Sequence, residues 1–128
     1  MIYPELSYKI CGMCYEAHNQ LGRLLNEKQY GDALETLLKE SRIPFKREYP
    51  IELEFKNRKL GGISYADFLI DNKIILELKT RHYLTKDDYY QLKRYLQTTG
   101  LKLGILINFR ERRLKPKRVI NSNAKEQN

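Results

Sequence analysis

Tyr65-Ala66-Asp67-Phe68-Leu69-Ile70 and Ile74-Ile75-Leu76-Glu77-Leu78-Lys79, separated by Asp71-Asn72-Lys73, set two carboxylates and one ammonium group into two otherwise apolar runs. The strands they mark, Ile63 to Ile70 and Ile74 to Lys79, have ordinary length, and the Asp-Asn-Lys triplet between them has the composition of a hairpin turn. Burying an unpaired charge costs far more than one hydrogen bond returns, so charges on buried strands are paired or coordinate metals. Side chains alternate along a strand, which puts Glu77 and Lys79 on one face with Ile75, and Ile74, Leu76 and Leu78 on the other. A two-residue loop would set Asp67 opposite Leu76. A three-residue loop or a bulge sets it directly across from Glu77, and this second register is the expected one.

Working outward toward the carboxyl end, Thr85 is a suitable N-cap, Asp87 and Asp88 suit a first helical turn, and the helix runs to about Thr99, stopped by Gly100. Lys102 to Phe109 then reads as a strand buried on both faces. Strand, helix, strand in that order predicts a right-handed parallel crossover from the Glu77 strand. A short strand near Leu114 to Ile120 closes the domain, and Asn121 onward is expected to fray. In the other direction, Tyr49, Ile51, Leu53 and Phe55 alternate with polar residues as one half-exposed strand, broken at Gly61-Gly62. Before it, apolar positions Ile10, Met13, Cys14 and Ala17 predict a helix over about 5–20, ended by Gly22. Tyr30, Ala33, Leu34, Leu37 and Leu38 predict a second helix over about 24–41, with Pro44 closing the connection. The result is an α/β domain over 1–120, two helices and then a mixed sheet with one crossover helix, with 121–128 as a disordered tail.

Two carboxylates converging on adjacent strands make a hard oxygen site suited to Mg²⁺ or Mn²⁺, which also take phosphate oxygens as ligands. A lysine two residues after one of them can hold an attacking water and offset charge that develops on phosphorus. Glu-x-Lys alone also describes an exposed edge-strand ion pair of little energetic value. The apolar setting of this one favours chemistry. Gln91 and Tyr95, four residues apart on the following helix, project from one face toward the strand ends. That pair also suits a plain helix-to-sheet contact, but the whole order of Asp67, Glu77-x-Lys79 and Gln91-x-x-x-Tyr95 is much rarer than its parts.

On these residues the chain resembles the PD-(D/E)xK nuclease superfamily, and within it the small GxxExxY family. The matching stretches are Glu27-Lys28-Gln29-Tyr30, Tyr65-Ala66-Asp67, Ile75-Leu76-Glu77-Leu78-Lys79, Gln91 to Leu96, and Thr99 to Phe109, spanning nearly the whole chain. The resemblance implies a restriction-endonuclease-like core with a four- or five-stranded sheet and metal-dependent hydrolysis of DNA or RNA phosphodiester bonds. It casts Asp67 and Glu77 as metal ligands and Lys79 as the motif lysine. Glu27 becomes an accessory acid, and Gln91 with Tyr95 corresponds to the helical motif of RecB-type nucleases. The glycine that opens the family pattern falls at Leu24, which bears on how the first two helices turn and on where Glu27 sits. The rival reading is a non-catalytic nucleic-acid-binding or partner-docking module that keeps the fold. A third is a complex-forming subunit that meets an acidic protein.

Composition bounds the chain to one domain and its charge favours a polyanion partner. At 128 residues, 15.3 kDa and 41% apolar content the chain closes one core without disulfides. Eight basic and two acidic residues in 101–128 carry +6 of the formal +8, which favours nucleic acid as partner, although a solvated tail has the same composition. No apolar run reaches membrane-spanning length and Met1-Ile2-Tyr3-Pro4-Glu5 lacks the features of a secretion signal, so no membrane partner and a cytoplasmic setting are expected. So short a chain leaves room for a homodimer or a partner protein to contribute to substrate choice. Cys11, Cys14 and His18 have zinc-like spacing, but at helical spacing the cysteines read as core filling. His82 is expected in a surface loop. Tyr83, Tyr89 and Tyr90 are near enough to basic residues to stack on unpaired bases, while at least one of Tyr89 and Tyr90 is expected to pack the helix onto the sheet.

Overall fold

A computed structural model describes residues 1–123. In chain order the elements are α1 (Pro4–Leu21), α2 (Glu27–Glu40), β1 (Phe45–Ile51), β2 (Glu54–Phe55), β3 (Arg58–Lys59), β4 (Ser64–Ile70), β5 (Ile74–Lys79), α3 (Lys86–Thr99), β6 (Leu103–Asn108) and β7 (Lys117–Ile120). Five strands form one mixed sheet in the order β1-β4-β5-β6-β7, and β2 pairs with β3 in a separate small hairpin. Only β5 and β6 run parallel, joined through α3 as expected of a strand-helix-strand crossover. These are an α/β arrangement and a sheet of the restriction-endonuclease-like kind.

The sheet is apolar on both faces. One face carries Phe68, Ile70, Ile74, Leu76, Leu78, Ile105 and Ile107 against Ile10, Cys14 and Ala17 of α1 and Tyr30, Leu34 and Leu38 of α2. The other carries Ile75, Leu106 and Val119 against Leu92, Tyr95 and Leu96 of α3. Alternation along β5 therefore divides its side chains as the sequence requires. Gly104 sits under α3 with no side chain to spare: a Cβ there would lie 2.7 Å from a methyl of Leu92, so glycine sets how closely the helix docks.

Helix ends follow their local chemistry. Asn26 and Gln29 form a reciprocal capping box, and so do Thr85 and Asp88. The first of these moves the start of α2 to Glu27 rather than Leu24, because Leu25 donates its N–H to the Tyr30 hydroxyl (3.4 Å) instead of entering the helix. Gly22 and Gly100 end their helices at positive φ.

Two further expectations are corrected. The strand read over Tyr49 to Lys56 is instead β1, which begins at Phe45 and stops at Ile51 where its partner β4 begins at Ser64. With no partner beyond that point, the chain folds back on itself through Lys56 and Asn57, both left-handed (φ 49 and 65), and Phe55 is left 62% exposed. Asn121 is not frayed. It is 5% exposed, and its amide donates to the carbonyls of Leu96 and Leu101, each at 3.1 Å. Ser122 and Asn123 follow as an exposed turn, and the remainder of the expected tail, 124–128, lies outside the described residues. Among the described residues no helix is long and apolar enough to cross a membrane.

Candidate active site

The β4–β5 register pairs Phe68 with Leu76, Leu69 with Ile75 and Ile70 with Ile74 across the three-residue turn, in which Asp71 and Asn72 are left-handed. Continued one step, it sets Asp67 opposite Glu77, as expected. Ladder pairing gives way at that step to side chains. The Asp67 N–H donates to Glu77 Oε1 (3.1 Å) and the Leu78 N–H to Asp67 Oδ2 (2.7 Å), so carboxyl oxygens take over donors that a regular ladder would satisfy with carbonyls.

This costs the pair its solvation. Glu77 is 4% exposed, and burial, followed by the charge of Asp67, pushes its carboxyl up to about 9. Asp67 is also raised, by burial, against the lowering effects of the Leu78 N–H, Glu77, Lys79 and Arg47. Among the described residues no group of three or more His, Cys, Asp and Glu side chains could hold a metal. The donor set nevertheless fits Mg²⁺ or Mn²⁺: Mg²⁺ typically takes one or two carboxylates, keeps several waters and completes its shell with substrate phosphate. Two desolvated acids facing each other are also what a divalent cation would relieve.

Lys79 ends β5 on the face of Glu77, as alternation required. Its Nζ donates to Gln91 Oε1 (3.4 Å) and lies 3.9 Å from Asp88 Oδ1. Tyr95, one turn beyond Gln91, is buried, and its hydroxyl pKa is raised by burial and then by Glu77. Gln91 and Tyr95 thus reach the acid pair and its lysine from one helical face. Glu27 stands apart from these five. Exposed in the first turn of α2, it accepts from the Thr80 hydroxyl at 3.4 Å and shares with Asp67, Arg47 and Gly31 a cleft of about 190 Å³. Tyr30, one helical turn on, explains why that end of α2 is fixed: it stacks on Phe109 with ring centroids 4.1 Å apart, and its hydroxyl donates to the Gly22 carbonyl. Leu24 is exposed and is not among the residues at positive φ, so the turn needs no glycine there.

Sequence reasoning missed three residues that neighbour the candidate site. Asp88 is buried, accepts from the Thr85 N–H (3.0 Å), and lies 3.3 Å from Arg81 Nε as well as facing Lys79. Only its place in the first turn of a helix pointed to it, and that suggested a cap. Arg47 lies over Gly31, pairs with Asp32 at 2.6 Å and faces Asp67; nothing in the strand pattern singled it out. Asn108 ends an apolar strand, and that polar interruption was the available signal.

The remaining candidates fall away. Cys14 is buried, with burial raising its thiol far out of the reactive range, and the His18 ring meets the Glu111 carbonyl at 2.7 Å. Neither Tyr89 nor Tyr90 packs α3 onto the sheet. Both are exposed and meet edge to face at 5.5 Å, because the buried stripe of α3 runs through Asp88, Leu92, Tyr95 and Leu96. His82 is exposed, as expected.

No curated protein and no solved structure matches this chain at a significant level. One family model, described as the PD-(D/E)XK nuclease superfamily, matches residues 4–119. Because that match runs from the first helix into the last strand, and so takes in every element that carries the acid pair and its lysine, the chain belongs to the PD-(D/E)XK nuclease superfamily.

Proposed function

We propose that the protein is a metal-dependent nuclease that hydrolyses phosphodiester bonds of DNA or RNA, and that it falls in the GxxExxY branch of its superfamily. The observation that carries the activity is the pair of desolvated carboxyl groups, Asp67 and Glu77, facing across neighbouring strands with Lys79 two residues beyond the second. Support for the branch comes from Glu27 and Tyr30, one at the cleft and the other fixing the turn that presents it.

Asp67 and Glu77 would hold the cation, Mg²⁺ or Mn²⁺. When bound, it supplies Lewis acidity toward a phosphate oxygen and offsets the negative charge of the transition state. Lys79, restrained by Gln91 and Asp88, donates to the attacking water or to a non-bridging phosphate oxygen, and its charge follows the charge that builds there. Holding that ammonium group in place before substrate arrives lowers the ordering cost of the step. Tyr95, whose hydroxyl pKa burial and the nearby Glu77 raise, stands beside the acid pair as a neutral donor. Glu27, at the mouth of the cleft, orients water that approaches Asp67.

Incubation with single-stranded, double-stranded and structured DNA and RNA, with and without Mg²⁺, tests this reading. Wild-type protein is expected to cleave at least one of them only with the metal, and Glu77→Ala and Lys79→Ala to fail. Nucleic-acid binding without metal-dependent cleavage would make the chain a binding module on a nuclease fold.

A further inference from the structure

A cleft of about 600 Å³ opens next to the site, between the loop that follows β5 and the loop that precedes β7. His82 and Tyr83 line one side, and Arg112, Arg113, Lys115 and Lys117 line the other. We infer that this cleft is the track for one unpaired nucleic-acid strand, its phosphates on the basic wall and a base stacked on Tyr83.

Four observations support it. The basic wall concentrates four cations against one lining acid, Glu111, which is the footprint of a phosphate backbone. Tyr83 is 84% exposed, so its ring is committed to no packing inside the molecule and offers a face to a base. The two loops are clamped together by Asn108, which is 1% exposed. Its Nδ2 donates to the Arg81 carbonyl (2.8 Å), while its Oδ1 accepts the N–H groups of Arg81 (3.0 Å) and Arg110 (3.3 Å). The basic wall is further tied to α1, where the Tyr15 hydroxyl donates to the Leu114 carbonyl at 3.2 Å. The walls are therefore set before a ligand arrives, which reduces the entropy lost on binding. Finally, Lys79 and Asn108 are register partners at the ends of β5 and β6, so the cleft begins where the site ends.

A single strand fits better than a duplex. The volume is that of a small-ligand pocket, with room for a short run of one strand. In a duplex the base faces are already stacked on one another, and Tyr83 would have nothing to meet.

The inference rests on the proposed nuclease reading only for what the track leads to, so its test is run without metal. Fluorescence anisotropy of the full chain in EDTA, with labelled unpaired DNA and RNA oligonucleotides and the matching duplexes, reads binding apart from cleavage. Strands are expected to bind more tightly than duplexes. Tyr83→Ala should weaken strand binding roughly 5- to 150-fold, the value of one lost base–aromatic stack, with the salt dependence unchanged and Tyr83→Phe restoring affinity. Arg112→Gln with Arg113→Gln should flatten the slope of log affinity against log salt by about 1.4. Both sites are on the surface, and unchanged Tm values would show that the variants fold. Wild-type affinity in Tyr83→Ala, or duplexes bound as tightly as strands, would overturn the assignment. So would displacement of the strand by polyglutamate with no contribution from Tyr83, which would point to an acidic protein partner. If strand binding behaves as stated but wild type shows no metal-dependent cleavage, the track stands and the nuclease reading falls.

Discussion

Replacing Glu77 by glutamine removes the ionisation that the fold opposes while keeping the shape of the side chain. The carboxyl, ordinarily near 4.5, is pushed up to about 9 by burial and by Asp67. Between those values the unfolded chain has released the proton and the metal-free folded chain still holds it. Stability must therefore fall as pH rises through that window, by about 1.4 kcal/mol per unit, and level off above the folded value. From pH 6 to 8 the loss is roughly 3 kcal/mol, or about 10 °C in Tm for a domain of this size. The amide of the Glu77→Gln variant keeps an oxygen for the Asp67 N–H and adds a donor for the Asp67 carboxylate, so packing is preserved. Thermal melts followed by circular dichroism in EDTA at pH 6, 7 and 8 are expected to show the wild-type Tm falling relative to Glu77→Gln by about that amount. Saturating Mg²⁺ should reverse the order at pH 8, raising wild type and leaving Glu77→Gln unmoved, because only the ionised acid pair holds the cation. Parallel Tm–pH curves for the two proteins, or an equal response to Mg²⁺, would refute the reasoning.

Other perturbations separate the parts. Asp88→Asn keeps an acceptor for the Thr85 cap but removes the charge that faces Lys79 and Arg81; it is expected to lower kcat more than it raises KM, with stability changed by about 1 kcal/mol or less in thermal melts. Gly104→Ala drives a methyl into Leu92 and should cost about 1–3 kcal/mol in urea denaturation, less when Leu92→Ala is present. Asn121→Ala takes the side-chain donor from the buried Leu101 carbonyl and one of the donors from the Leu96 carbonyl, which keeps the Gly100 N–H, and should cost about 1–3 kcal/mol; a neutral result would mean that the chain after β7 is not docked. Glu48 is left-handed at φ 51, so Glu48→Gly should hold or gain up to about 1 kcal/mol while Glu48→Val loses more than that, and equal stabilities would show the backbone to be ordinary there.

Much of this arrangement was legible because it follows from local rules. Alternation along Ile74 to Lys79 placed Glu77 and Lys79 on the α3 face, the turn length gave the Asp67–Glu77 register, and Thr85 and Gly100 marked both ends of α3. Other features depend on partners that a local pattern does not contain. Leu53 and Phe55 alternate like core residues, but β4 begins only at Ser64, so no strand of the main sheet pairs them, and Phe55 pairs instead with Arg58 in the small β2–β3 hairpin. Asn121 lies just past the last strand, and only the approach of two carbonyls from α3 and its following turn explains its burial. The side-chain partners of Lys79 belong to the same class. Gln91 was legible from helical spacing, whereas Asp88 read as a cap and proved to serve both cap and lysine.

The least legible feature accounts for how residues from opposite faces of the sheet meet. In β1 and β4 the pairs Arg47–Phe68 and Tyr49–Ala66 are regular, but between them Glu48 and Asp67 make no ladder pair. On one side of that gap Phe68 and Ile70 pack toward α1 and α2, with Arg47 lying on α2; on the other, Ala66 and Ile51 pack with the residues of α3. The strands roll over at this step, which the left-handed Glu48 permits. Asp67, sitting at the roll, belongs to neither face: its carboxyl meets Glu77 on the α3 side and lines the cleft that holds Glu27 and Arg47 on the α2 side. A regular strand would have given Asp67 to one helix layer and shut out the other. The break in alternation, costly as backbone, allows one acid pair to be addressed by Lys79, Gln91 and Tyr95 from one side and by the start of α2 from the other.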